Sequence, residues 1–304
     1  MRVRVGTFNV ENLFARFRFR SDFSLPDDKQ GIWTIDNTKF APFSDNHHRI
    51  TAQALGAIRA DILGLQEVEN LTTLRRFLRQ FKHFMPNGGY PYQILIDGND
   101  PRLIDVALIS QYPLGTIRTH QFERAPNGNP IFSRDCLEVE VELPNSTPLT
   151  VFVNHFKSMT RDRQETMATR RIQAARVAEI LQERFGSDPG QANWVVVGDL
   201  NDYLPSEGLE PLLEQPWLEN MMNRLPPDDR WTHYFARGNK YNPLDYVLVS
   251  RAIAQANPDA LPEIERRGLP KRAQRFQERR FGGVGLNHPK ASDHCPVGIE
   301  LEIA

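Results

Sequence analysis

The stretch NWVVVGDLND, residues 193–202, decides the fold. Four apolar residues, Trp194 to Val197, are of strand length, and a glycine follows them. Two carboxylates and an amide, Asp199, Asn201 and Asp202, come next, which is more polarity than a turn requires. A strand terminus holds a side chain rigidly at a rim that solvent or substrate can reach. Upstream, a long helical pattern from about Arg161 to Phe185 is closed by Gly186 and Pro189 and feeds this strand. Working outward, a strand is expected at Arg2 to Val10 and a helix at about His48 to Arg59. DILGLQEV follows as a strand, and Asn70 or Thr72 caps a helix that runs through Phe81. Further strands are expected at 92–96, 104–110, 136–143, 149–154, 244–250 and 296–303, several of them adjacent and therefore antiparallel. Residues 1–304 are expected to form one α/β domain with long loops at about 11–47 and 251–290.

Composition sets the frame. A chain of 304 residues with 40% hydrophobic and 25% charged residues buries a sizeable core, which excludes a disordered or low-complexity protein. A formal charge of -1 leaves no global field toward nucleic acid or membrane, so polyanion binding must come from local patches. The basic residues are 7 Lys and 30 Arg, a skew that suits bidentate phosphate recognition but that codon bias explains equally. Two cysteines, Cys136 and Cys295, are too few for a disulfide framework. The N-terminus alternates like a strand from its first residue and has no apolar leader, and no run is long enough to span a bilayer. A cytoplasmic monomer is expected.

The informative residues stand at the ends of apolar strands: Asn9 and Glu11 after RVGTF, Glu67 in LGLQEV, His155 after LTVFVN, Asp199 with Asn201, Asp245 before YVLVS, and Asp293 with His294 before the last strand. Each has an ordinary structural explanation alone, such as a cap for Asn9 or an ion pair for Glu67. Their combination is what carries weight.

The chain resembles the endonuclease/exonuclease/phosphatase superfamily, with the deoxyribonuclease I-like fold and most of all its bacterial nuclease-like branch. The matching stretches are TFNVENL at 7–13, LQEVEN at 65–70, DVALIS at 105–110, VNHFKS at 153–158, GDLND at 198–202, LDYVLVS at 244–250 and SDH at 292–294. The resemblance implies a four-layer α/β sandwich, two mainly antiparallel sheets flanked by helices, with the active site where those strand ends converge. It implies hydrolysis of phosphoesters with Mg²⁺ or Mn²⁺. Glu67 then falls on the principal metal carboxylate, with Asn9 beside it and Asp293 nearby. Asp199 and Asn201 fall on the pair that positions water and phosphate, His155 on a phosphate contact, and His294 with Asp245 on a histidine and its orienting carboxylate.

Chemistry gives independent reasons for these residue types. A phosphodiester anion repels hydroxide, so a hard cation on carboxylate oxygens must neutralise charge. A base must take the water's proton, and both Asp199 and the Asp245–His294 pair are suited to it. His155, Asn201 and Lys157 would hold the pentavalent oxygens. Glu11 stands where the family often has Asp, and Ser158 where DNA-repair members have Asn. Asp162 and Arg170 are candidates to cap the long helix and reach the substrate phosphate respectively, with surface roles as the alternative. His47–His48 reads as a solvated helix start.

Three functions compete: a nuclease cleaving DNA or RNA, a phosphodiesterase or phosphatase acting on a small-molecule or lipid phosphoester, and an inactive binding module. FARFRFR at 14–20 interleaves aromatics with arginines, as base stacking beside phosphates would use. The segment EIERRGLPKRAQRFQERR is strongly basic, with a solvated helix face as its ordinary explanation. Together they tilt the expectation toward nucleic acid as the partner.

Overall fold

The computed structural model describes residues 1–15, 46–159 and 163–304, together with the backbone of 17–19, 40–42 and 45. Elements are numbered in chain order. In the first sheet, β1 (Arg2–Leu13) lies between β4 (Ile62–Val68) and β16 (Val297–Glu302). Beyond β4 come β6 (Asp105–Ser110) and β5 (Tyr92–Leu95), and β15 (Glu263–Ile264) edges β16. The second sheet is centred on β10 (Trp194–Asp199), flanked by β9 (Pro148–His155) and β14 (Asp245–Ser250). Outside β9 lie β8 (Leu137–Glu142) and β7 (Leu114–Arg118), and outside β14 lies β11 (Leu218–Asn220). Each sheet has one parallel pair, β1/β4 and β9/β10, in an otherwise antiparallel array.

Period-2 alternation creates the layers. Val195 and Val197 point between the sheets, whereas Trp194 and Val196 point to the outer cluster under α3 (Arg163–Phe185) and α4 (Glu210–Leu213). On β1, Val3 and Val5 point inward while Phe8 and Val10 pack beneath α1 (Asp45–Ala57) and α2 (Leu71–Gln80). Three apolar clusters therefore separate four layers, helices, sheet, sheet, helices, and the expected fold class is the observed one. At one contact between the sheets the chain needs glycine: a Cβ on Gly64 would lie 2.7 Å from a Val197 methyl.

Local chemistry sets several element ends. Asn70 caps α2, its side chain accepting from Thr73 N at 2.8 Å. Gly186, at φ +85, ends α3. The expected cap Asp162, the arginine side chains of FARFRFR and most of the 11–47 loop lie outside the described residues; of that loop, the described backbone of β2 (Phe17–Phe19) and β3 (Phe40–Pro42) pairs as a short ribbon. Both cysteines are free and buried. Among the described residues, no helix is long and apolar enough to cross a membrane.

One alternative and one expectation are set aside. The basic segment 266–280, inside the long loop expected at about 251–290, does not form the solvated helix face that was its ordinary explanation. The chain here forms α5 (Arg251–Ala256), β15 and then irregular coil that the arginines themselves fasten. Arg280 donates to the carbonyls of Leu269, Ala273, Phe276 and Glu278, and Arg266 to those of Asp229 and Trp231. Arg275 reaches Asp228 O. A planar fork with five donors suits this task better than an ammonium.

Arg170 is likewise neither on the surface nor free for a ligand. It is fully buried, donating to Asp202 Oδ2 at 2.9 Å, Thr166 Oγ1 at 2.7 Å, Arg163 O at 2.8 Å and Lys157 O at 3.2 Å. It ties the long helix to the GDLND turn. Arg170→Met should leave buried Asp202 with Arg163, 2.6 Å away, as its remaining arginine partner, and lower stability by about 1–3 kcal/mol, read as a shift in the urea midpoint. Arg170→Met with Asp202→Leu should cost clearly less than the sum of the two single changes.

Candidate active site

Strand register assembles the site before any side chain is considered. In the second sheet His155, Asp199 and Asp245 are neighbours on one rung of β9, β10 and β14. All three continue the inward-facing set of their strands, as Asn9 does on β1. Asn9 and Asp199 therefore meet across the sandwich, with Asn9 Nδ2 3.1 Å from Asp199 Oδ2. Gly198 permits this rung, because at φ +149 a Cβ would fall 1.9 Å from Asn154 O.

Glu67 does not follow the simple alternation. Leu63 and Leu65 face the helices and Gln66 turns inward to Thr7, so a regular strand would send Glu67 outward. The pairing shifts between Leu65 and Val68, and Glu67 takes φ +64. Its Oε1 consequently lies 3.4 Å from Asn9 Nδ2 and 4.0 Å from His155 Nε2. Glu11, Asn12 and Asn201 also have positive φ, so uncommon backbone conformations gather at this rim.

Asp199 is the most heavily bonded group. Its Oδ1 accepts from Asn201 N at 2.9 Å, and its Oδ2 from the amides of Asn9 and Asn201. His155 Nε2 stands 3.5 Å from Oδ2 and His294 Nε2 3.7 Å. Burial, then the neighbouring Asp245, pushes the Asp199 carboxyl up to about 7, against the pull of His294 and the amide donors. His294 donates through Nδ1 to Asp245 Oδ2 at 2.9 Å. Burial disfavours its charge, but Asp245, Asp199 and Asp293 together hold the imidazole well above its ordinary range. His155 is held well below it by burial and by Arg134, His294 and Arg102. The two histidines thus present opposite protonation states at neutral pH.

On the open side, burial and Asp293 raise the Glu67 carboxyl. Glu11, bound to Lys290 Nζ at 2.6 Å, is pushed up to about 7 by burial and Asp293. Burial also opposes ionisation of half-buried Asp293, yet His294, Lys290 and His233 keep it below the usual range. Asp293 raising both Glu67 and Glu11 is an arrangement that a divalent cation relieves, and the oxygens of Glu67 and Asp293 suit a hard ion. Asn9 fits that role poorly: its oxygen accepts from Glu11 N at 3.0 Å, and its amide nitrogen faces the carboxylates. Asn201 also spends its amide N–H groups internally, on Phe156 O and Asp199. The Lys157 ammonium makes no bond among the described residues. Its backbone N–H is fixed by Gln173.

Several residues had no sequence signal. Arg134 is fully buried and donates to Asp100 Oδ2 and Phe156 O, its charge felt by Asp199, Glu67 and His155. Arg102 grips Asp100 with two bonds at the rim, its side chain 59% exposed. Ser292 donates to Asn9 O at 2.7 Å and accepts from His294 N at 2.9 Å, tying two strand ends together. His233 begins β12 (His233–Phe235), which pairs with β13 (Lys240–Asn242), and its ring lies against His294 with centroids 4.6 Å apart. A Ser beside Asp-His was visible in SDH, but long-range partners such as Arg134 leave no local pattern.

A fold and site of this kind define a class, and sequence comparison agrees. The model of the Endonuclease/Exonuclease/phosphatase family matches residues 6–294, and the chain belongs to this family; it is a phosphoester hydrolase. Among solved structures, the human Nocturnin catalytic domain with bound sulfate superposes with a TM-score of 0.63 at 14% identity, covering 100% of this chain and 95% of that one. Truncated Caenorhabditis elegans TDP2 gives 0.61 at 16%, covering 99% and 98%. A Bacteroides thetaiotaomicron mannosyl-6-phosphatase gives 0.56 at 13%, covering 99% and 100%. No curated protein sequence matches the chain.

The raised Asp199 carboxyl has a consequence for stability. The folded protein keeps a proton up to about 7 that the unfolded chain, with its value near 3.8, has already released. That contribution is complete below the unfolded value and is lost as pH rises toward 7. Asp199→Asn cannot titrate. In EDTA the variant should therefore gain on the parent between about pH 4 and 7, by up to roughly 1.4 kcal/mol per pH unit, in paired urea melts. A gap that does not change with pH would mean that Asp199 ionises there without cost.

Proposed function

We propose that this protein is a divalent-cation-dependent phosphodiester hydrolase that cleaves nucleic acid. The observation that carries this reading is an open groove of about 490 Å³ running from Asp293 and Glu11 past Phe235, Arg237, His288 and Lys290. Phe235 is 45% exposed there. An exposed aromatic beside cations suits a base stacked next to its phosphates. Arg102 offers a further cation on the opposite flank.

In this mechanism Glu67 and Asp293 would hold the cation, Mg²⁺ or Mn²⁺, which when bound neutralises charge on the phosphate oxygens and the leaving alkoxide. Asp199, raised to about 7, is poised to accept the attacking water's proton near neutral pH. Asn9 and Asn201 orient its two oxygens. His294, kept cationic by Asp245, and the neutral His155 donate to the phosphate oxygens, as does Lys157. Protonated His294 is not free to be the base, which favours Asp199 for that role.

A small phosphoester is the second reading. It is supported by the insertion arginines, many of whose donors are already spent on carbonyls.

If Asp245 acts by holding His294, Asp245→Asn and His294→Ala should each lower kcat by about two to four orders of magnitude, and the double variant should be no worse than the more damaged single one. Additive losses would give Asp245 a separate role.

Turnover should vanish in EDTA and return with Mg²⁺ or Mn²⁺, and Glu67→Gln should weaken the metal titration. Phe235→Ala with Arg237→Ala should raise KM for an oligonucleotide and flatten its salt dependence, leaving a chromogenic phosphodiester almost unaffected. Equal effects on both substrates would favour the small phosphoester.

A further inference from the structure

We propose that His233, Asp293 and His294 form a transition-metal site, selective for Zn²⁺ or Co²⁺ over Mg²⁺, through which such an ion withdraws His294 from the reaction. One ligand atom from each residue lies within 4.8 Å of the others, short enough for side-chain rotation to bring all three onto one ion. The grouping is fixed by backbone: His233 and His294 face each other in an antiparallel bridge, and Tyr234 N donates to Asp293 O at 2.9 Å. His233 Nε2 lies 3.9 Å from Asp293 Oδ2.

Two features point to a metal in particular. His294 directs Nδ1 to Asp245, so Nε2 is the nitrogen that an ion can take once its proton leaves. A carboxylate behind an imidazole in this way is the usual support of a metal-bound histidine. His233 is the second feature. Its Nδ1 is buried without a hydrogen-bond partner, and among the described residues its Nε2 makes no hydrogen bond and has Asp293, 3.9 Å away, as its charged neighbour.

Two imidazoles and one carboxylate with an open position favour Zn²⁺ and neighbouring transition ions, whereas Mg²⁺ prefers all-oxygen, largely hydrated sites. Glu67 and Asn9 take no part. The ion would take the lone pair at His294 Nε2 and displace any proton there to solvent. The loss of activity rests on the roles proposed above for His294 and Asp293. The binding itself does not.

The test uses the full chain after chelation. Titration with Co²⁺ should give the visible ligand-field bands of a four- or five-coordinate ion, one per chain, and Zn²⁺ should abolish them. His233→Ala should lower Zn²⁺ affinity, measured against a chromophoric chelator, by at least about 10-fold. His233→Phe, which keeps a ring against His294, should do the same and so exclude loss of folding as the cause. With Mg²⁺ and a chromogenic phosphodiester, Zn²⁺ should inhibit the parent at concentrations at least about 10-fold below those needed for either variant. Unchanged Zn²⁺ affinity in both variants overturns the site. Lost affinity with unchanged inhibition overturns its effect on the reaction, and the cobalt titration decides the site even if no phosphodiester is turned over.

Discussion

One buried carboxylate joins the halves of this molecule. Asp199 ends the central strand of one sheet and receives an amide N–H from Asn9 on the central strand of the other. A carboxylate removed from water must be matched by donors or protonated. Here the donors come from β1 and from the turn after β10, with the histidines that end β9 and precede β16 standing 3.5 and 3.7 Å away. The sheets are thereby pinned at the rim where the chemistry lies, and two histidines are drawn to opposite sides of one acid. Dense apolar packing of Val195 and Val197 against Val3 and Val5 supplies the rigidity, and Asp199 supplies the alignment.

Arginine serves this fold largely as a fastener. Arg170 binds the long helix to the GDLND turn, Arg134 lies under the site, Arg280 closes an irregular loop onto its own carbonyls, and Arg266 and Arg275 tie that loop to the carbonyls of residues 228–231. An irregular chain must satisfy its backbone acceptors somehow, and a multidentate donor does so without regular structure. Positive charge counted along the sequence therefore overstates what is available to a polyanion. What remains toward solvent near the site is a smaller set, Arg102, Arg237 and Lys290 among them, and Lys290 is itself shared with Glu11.

Local patterns carried much of the architecture. Apolar runs ending in polar residues marked β1, β4, β9, β10, β14 and β16, and Asn70 and Gly186 marked helix ends, because these signals depend on a few neighbouring residues. The short strands β7, β11, β12, β13 and β15 left weaker traces, since each exists through a partner far along the chain. The segment 266–280 reads as part of a long loop, but its arginines read as available charge, because the carbonyls that occupy them are brought near only by folding.

The sequence by itself determined the family, the layered α/β fold and the set of polar residues gathered at one rim, since alternation and strand-end motifs are local and ordered along the chain. Tertiary structure alone decided what those residues do to one another. Asn9 turns a nitrogen rather than an oxygen to the carboxylates, Asn201 spends its amide on Asp199, Arg170 is sealed in the core, and His233 joins the site with no motif to announce it. Protonation followed the same rule, with His155 held neutral and His294 charged. Burial and charges a few ångströms away set these states, and both depend on distances between strands that sequence order does not contain.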